Sequence, residues 1–229
     1  NYYNYGQAPD VAYLYRGVVA DDTYVYYVDV NVLYKYDYRA GGSSGNNMNK
    51  IFIAGQNDSE YGAEVDGIGA NAKIGMPNCP LLLKDNIIYI ISFRTLRKCD
   101  LTTGEVTTVA GQPTSTYQAP SAPYPDGIGT NAIFRSLSNG ALDGNFVYLQ
   151  DYGCIRKVNL STNEVTTIIG DPTNSQGLTN GNATVSKFNY SESMEMTAEG
   201  HILNKDQNGV ARLINLSTLT TSTLWTWTA

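Results

Sequence analysis

With 229 residues, 42% of them hydrophobic, the chain has enough apolar material for one all-β core of the barrel, sandwich or propeller kind. Only 16% of residues are charged, and 21 acidic against 15 basic side chains make nucleic acid a poor partner, because Lys and Arg do not cluster to offset the repulsion from phosphate. No apolar run approaches the roughly 20 residues that cross a bilayer, the longest being the short Ile87 to Ile91 segment, so no membrane insertion is expected.

Low Lys with abundant Tyr, Asn, Ser, Thr and Gly points to an extracellular or cell-surface protein. An opening at Asn1 rather than methionine suits a processed secretory product or a domain cut from something larger.

The first repeat, residues 1–55, opens with a Tyr- and Asn-rich entry, Asn1 to Asp10. Gly17 to Ala20, Tyr24 to Val28, Val32 to Asp37 and Lys50 to Ala54 follow. All four are rich in the Val, Tyr and Ile that suit a pleated, half-buried surface. Asp21-Asp22, Asp29 to Asn31 and the Gly41 to Asn47 insert separate them, with the residue types that tight reversals need. The second repeat, 56–111, has a long lead-in ending in Asp66-Gly67-Ile68-Gly69, then strands at Pro80 to Leu83, Ile87 to Ile91, Thr95 to Asp100 and Val106 to Ala110. The third, 112–170, has a proline-rich surface lead-in, then Gly140 to Leu142, Phe146 to Gln150, Cys154 to Asn159 and Val165 to Ile169. The fourth, 171–229, keeps Asn180-Gly181-Asn182 where the glycine block stood. Met194 to Thr197, His201 to Asn204, Ala211 to Asn215 and Leu219 to Leu224 are its strands.

Three ordered blocks tie the middle repeats together. Asp66 to Ala72 returns as Asp126 to Ala132, Leu96 to Thr102 as Ile155 to Ser161, and Gly104 to Gly111 as Asn163 to Gly170. No stretch of ten residues shows an amphipathic 3.6 period. The expected fold is a single all-β β-propeller of four four-stranded antiparallel blades, either a small closed ring or an arc of a larger propeller. No strand is left over to share a blade between the termini.

At these residues the chain resembles the NHL-repeat family of β-propellers. The likeness rests on an Asp-Gly-x-Gly lead-in, a Leu96-Arg97-Lys98-Cys99-Asp100 strand matched by Ile155-Arg156-Lys157-Val158-Asn159, and a closing Val-Thr-Thr-x-Ala-Gly. The first repeat keeps Leu33-Tyr34-Lys35-Tyr36-Asp37, and the fourth keeps Ala211-Arg212-Leu213-Ile214-Asn215. Family members usually close with six blades; four repeats are visible here. Alternation lets Arg97 and Arg156 hold their charged ends at a blade edge while their stems cover the adjoining sheet.

Lyases and hydrolases of this family hold a metal through several histidines, and this chain has only His201, read as lying within a strand. There is no Gly-x-Ser-x-Gly elbow and no phosphate-binding loop ahead of a helix. The Asp66 to Asn71 and Asp126 to Asn131 segments read as turns, since a calcium loop needs several more oxygens. No catalytic, cofactor or metal residues are therefore assigned. The three cysteines, Cys79, Cys99 and Cys154, read as buried and unpaired: strands two apart in a sheet lie about 10 Å from each other, too far for a disulfide.

Tyr2, Tyr3, Tyr5, Tyr34, Tyr36 and Tyr38 are candidates for an interaction surface; the last three fall on one sheet face by alternation. Five Asn-x-Ser/Thr acceptors, Asn57, Asn159, Asn182, Asn189 and Asn215, are candidates for N-linked glycans. The expected function is a non-enzymatic structural or protein-interaction module, self-associating or part of a larger surface or fibrous assembly. A carbohydrate- or small-ligand-binding propeller is the alternative, and an NHL-type lyase or hydrolase comes third.

Overall fold

Each repeat folds as an antiparallel meander, because its runs of Val, Ile and Tyr are short and the residues between them reverse the chain. The computed structural model of the protein describes residues 17–29, 31–39, 50–56, 63–75, 77–113, 121–173 and 176–226. Blade 1 comprises β1 (Val18–Ala20), β2 (Tyr24–Asp29), β3 (Val32–Asp37) and β4 (Lys50–Gly55). The lead-in of the second repeat forms β5 (Glu64–Val65), β6 (Gly67–Ile68) and β7 (Lys73–Ile74). Blade 2 follows as β8 (Pro77–Lys84), β9 (Ile87–Ser92), β10 (Thr95–Asp100) and β11 (Glu105–Gly111). In the third repeat β12 (Gly127–Ile128) precedes blade 3, which is β13 (Leu137–Asp143), β14 (Phe146–Asp151), β15 (Cys154–Asn159) and β16 (Glu164–Gly170). Blade 4 is β17 (Ser191–Met196), β18 (Ile202–Asp206), β19 (Val210–Asn215) and β20 (Thr220–Thr226).

The four sheets stand in a ring, a four-blade β-propeller, with β1, β8, β13 and β17 innermost. Three of the expected strands, Val32–Asp37, Thr95–Asp100 and Cys154–Asn159, match residue for residue. Two expectations need correction. The Asp-Gly-Ile-Gly segments are more than turns: β6 pairs with β11 and β12 with β16, adding a fifth, outermost strand to blades 2 and 3 before a three-residue 3-10 turn at Gly69–Asn71 or Gly129–Asn131. His201 precedes β18 instead of lying in it; its carbonyl accepts from the Thr197 amide to close the hairpin.

Packing between blades repeats one arrangement. Each sheet presents an apolar forward face to the next blade, and the lead-in of that next blade wedges between the two. Tyr26, Val28 and Leu33 of blade 1 meet Ile88, Ile90 and Val106 of blade 2, with Ala72 and Ile74 of the lead-in between them. Tyr89, Ile91 and Leu96 meet Val147, Leu149 and Val158 in the same way around Ala132 and Phe134. Ala141, Tyr148 and Ile155 meet Ile202 and Ile214 around Phe188. Each fully buried Leu or Ile in these layers contributes on the order of 1.5–3 kcal/mol, so the three seams carry most of the fold's stability. Among the described residues no such cluster joins blade 4 to blade 1.

Candidate functional site

The most regular feature of the molecule is a buried arginine on the third strand of blades 2, 3 and 4. Arg97, Arg156 and Arg212 are 0%, 0% and 1% exposed, which overturns the expectation that their charged ends reach a blade edge. They run instead into the lead-in and donate to its backbone carbonyls, which for Arg97 lie on the short β5–β7 pair. Arg97 donates to Lys73 O at 2.5 Å and Val65 O at 2.8 Å, and pairs with the Asp66 carboxylate at 2.8 Å. Arg156 donates to Tyr124, Pro125 and Ile133 carbonyls and pairs with Asp126 at 3.0 Å. The same carboxylates accept from Thr108 and Thr167, at both backbone and hydroxyl. Burial alone would raise the Asp66 carboxyl, but the Thr108 and Arg97 hydrogen bonds outweigh it and hold the group below its ordinary value. These residues are scaffold.

Blade 4 makes the same brace without a carboxylate. Arg212 Nε donates to Asn180 Oδ1 at 3.0 Å, and Nη1 and Nη2 to the Lys187 and Thr179 carbonyls. Burial without a directly paired anion pushes its guanidinium down to about 10. Asn180→Asp restores the arrangement of the other blades. It is expected to raise the unfolding free energy by about 1 kcal/mol at neutral pH, the difference between a charged and a neutral hydrogen bond. The new carboxylate would have a depressed folded pKa, so the gain is fully present above about pH 4 and lost as pH falls through the folded value. Urea denaturation of both proteins at neutral and acid pH measures it.

At the mouth where the lead-ins meet the turns between second and third strands, polar groups converge. Asp151 is wholly buried at the end of β14; its Oδ1 accepts from the Arg135 and Ser136 amides, and its Oδ2 lies 3.7 Å from Arg156 Nε. Burial pushes its carboxyl up, against the Ser136 hydrogen bond and the Arg156 charge. Ser136 Oγ and Tyr190 Oη are 2.8 Å apart. Gln150 bridges to blade 4, donating to the Asn189 carbonyl and accepting from Asn204 Nδ2 at 2.6 Å. Above this floor Arg135 stacks on Tyr152, with Cζ 3.6 Å from the ring centroid, and Tyr124 lies on it at 5.4 Å. Sequence reasoning missed this cluster. Its one signal was an aspartate closing the second strand of three repeats, at Asp29, Asp151 and Asp206.

Ser136 pairs with a tyrosine hydroxyl. The Cys99 and Cys154 thiols are free and buried, and burial pushes Cys99 up to about 12 and Cys154 well above its ordinary value. The side chain of Cys79 lies outside the described residues. Among the described residues no three His, Cys, Asp or Glu side chains group as metal ligands.

The second candidate is the rear face of blade 1. Tyr27 stacks on Tyr34 at 5.8 Å, and Phe52 meets Tyr34 edge-on at 6.4 Å. Lys50 Nζ stands 4.6 Å over the Tyr34 ring. Tyr34 occupies the position that holds the buried arginine elsewhere, and Phe52 that of Thr108 and Thr167. Tyr36 shares this face, whereas Tyr38 lies past the end of β3, in a turn, where its hydroxyl donates to Asp22 O at 2.8 Å. Alternation therefore overreached by one residue pair. Tyr2, Tyr3 and Tyr5 lie outside the described residues.

Of the acceptor asparagines, Asn182 is exposed, with Oδ1 turned back onto Thr184. Asn159 and Asn215 are half-buried at equivalent turns, each Oδ1 accepting from the amide two residues on. Asn189 donates its amide to Asp206 at 3.4 Å, a contact a glycan would have to break. Asn57 lies outside the described residues.

No family model matches the chain, and no curated protein matches it. Its fold is similar to solved structures from Bacteroides. A structural genomics protein of unknown function from Bacteroides thetaiotaomicron is 18% identical with a TM-score of 0.55, over 90% of this chain and 46% of that one. An auxiliary nutrient binding protein from the same organism is 15% identical with a TM-score of 0.55, over 86% and 44%. One from Bacteroides ovatus is 15% identical with a TM-score of 0.53, over the same shares. The chain thus spans less than half the length of these structures, and at such identities the likeness carries the fold alone.

Proposed function

We propose that the protein is a non-enzymatic, extracellular or surface-displayed interaction module built on an NHL-like propeller. The observation that carries this reading is the rear face of blade 1, where Phe52 remains 47% exposed beside half-buried Tyr34 and Tyr36. Tyrosine and phenylalanine give large contact area at small entropic cost, and such rings left part-exposed on a sheet face suit a protein partner. The acceptor asparagines and the scarcity of lysine support an extracellular setting.

The second reading is a carbohydrate- or small-ligand-binding propeller, favoured by the Tyr124, Arg135 and Tyr152 stack at the mouth. Thermal unfolding with a panel of neutral and acidic oligosaccharides and divalent metals separates the two. A ligand at a hundredfold its Kd adds about 2.7 kcal/mol, which for a chain of this size raises Tm by about 5–10 °C. The interaction module predicts an unchanged Tm across the panel. A rise of that size with any member would replace it with the ligand-binding reading.

A further inference from the structure

Three asparagines in the chain are followed by glycine: Asn139, Asn180 and Asn208. Glycine has no side chain to shield its amide, so it is the neighbour best able to close on the asparagine's own Cγ. The fold sets the three apart. Asn139 is 3% exposed within β13, and its Oδ1 accepts from the Gly140 amide at 2.9 Å. Asn208 is exposed in the turn between β18 and β19, held through its backbone amide on Asp206 Oδ1. Asn180 is exposed to water as well, but its Oδ1 lies 3.0 Å from Nε of the buried Arg212, and its Nδ2 donates to Thr223 Oγ1 at 2.9 Å. Backbone pairing beside it is thin: Gly181 makes a single bridge to Thr221, where Gly67–Ile68 and Gly127–Ile128 make two-residue ladders.

We propose that Asn180-Gly181 is a self-modifying site, at which the Asn180 amide is converted to aspartate in the folded protein with the Arg212 guanidinium polarising its carbonyl. Blade 4 thereby gains the carboxylate that Asp66 and Asp126 supply in blades 2 and 3. The chemistry needs only water. The Gly181 nitrogen bonds to Asn180 Cγ as its own proton passes to solvent, and the bond from Cγ to Nδ2 breaks, Nδ2 taking up a proton to leave as ammonia. Water then opens the cyclic imide. Attack at Cγ breaks the new bond and leaves an ordinary aspartate, whereas attack at the backbone carbonyl breaks the original peptide bond and leaves an isoaspartate. In each step at Cγ, negative charge gathers on the oxygen that Arg212 already holds, and a fixed donor at a developing oxyanion favours reaction at that carbon. The single bridge lets Gly181 open locally without unfolding the blade. The product repeats an ion pair that the fold already makes at 2.8 and 3.0 Å in the two preceding blades.

Incubation of the whole chain at mildly alkaline pH, folded or in urea, followed by proteolysis and mass spectrometry that separates aspartate from isoaspartate, tests it. Asn180 is expected to convert in the folded chain, with a ratio of aspartate to isoaspartate at least about tenfold higher than in urea, where the guanidinium is no longer in place. At Asn208, which has the same glycine neighbour, the ratio should be alike in both conditions, and Asn139 should stay an amide while the chain is folded. An Asn180 that keeps its amide in the folded chain while Asn208 converts overturns the proposal, since its hydrogen bonds would then hold Cγ away from the Gly181 nitrogen. Conversion at Asn180 with the same ratio folded and unfolded overturns it too, because Arg212 would then play no part.

Discussion

Replacing Arg156 with methionine is expected to lower the unfolding free energy by about 3–5 kcal/mol, the range for removing one partner of a buried charge network. The side chain fits, since methionine fills a similar length, so the loss is of hydrogen bonds rather than of volume. Three carbonyls, at Tyr124, Pro125 and Ile133, lose their donor, and Thr167 Oγ1 loses another. Leaving a buried acceptor unpaired costs about 1–3 kcal/mol each before relaxation. Asp126, 3.0 Å from the guanidinium, and Asp151, buried at 3.7 Å, lose their cation as well. Lys157, the next residue, faces the other side of the strand and is half-buried; Lys157→Met should cost less than about 1 kcal/mol, as for substitutions outside such networks. Urea titrations of the two variants and the parent give the difference directly. With domain stabilities of about 5–15 kcal/mol, a fall of the expected size removes a large share of the margin. A loss no larger than that of Lys157→Met would show that the lead-in is held by its apolar residues, Phe134 above all, and not by the guanidinium.

Why that arginine was misplaced by sequence reasoning is instructive. Alternation along Cys154–Asn159 correctly sets Arg156 on one face of its sheet, and the same holds for Thr95–Asp100 and Arg97. Strand positions were legible for the same reason: period-two runs such as Val32–Asp37, bounded by turn formers, have one consistent reading. What lies over the face is another matter. The carbonyls that receive Arg97 come from Val65 and Lys73, on a segment with no period to read. The added strands Gly67–Ile68 and Gly127–Ile128 are two residues long, too short for any pattern to register. At the mouth, Gln150 and Asn204 interrupt apolar strands and look like faults in the repeat. Only the fold shows that they face each other across two blades. The unlike first blade, by contrast, had a trace in the sequence: the first repeat lacks the Asp-Gly block and has Tyr34 where its siblings have arginine.

The last residue of the closing Val-Thr-Thr-x-Ala-Gly motif provides the other large expected effect. Gly111→Ala should destabilise by about 3 kcal/mol or more, within the upper part of the range for single substitutions. Two causes act together there. The backbone has φ +89°, outside what an L residue with a Cβ adopts without strain. A Cβ built on it would lie 2.0 Å from the Arg94 carbonyl oxygen and 2.7 Å from Phe134 Cδ2, so either the β9–β10 turn or the lead-in ring has to move. Phe134 is 1% exposed in the core between blades 2 and 3 and has nowhere to go. Gly144 separates the two causes, because it also has positive φ, +53°, but an added Cβ there meets nothing within 4 Å. Gly144→Ala isolates the conformational cost, about 1–2 kcal/mol, and the excess in Gly111→Ala is the clash. Thermal and urea denaturation of both variants yield the two terms. Equal losses would mean that the glycine is there for its backbone angle alone. A larger loss at Gly111 would show that the strand end must approach the next lead-in without a side chain, and would explain why Gly55 and Gly170 end the corresponding strands with φ +109° and +83°.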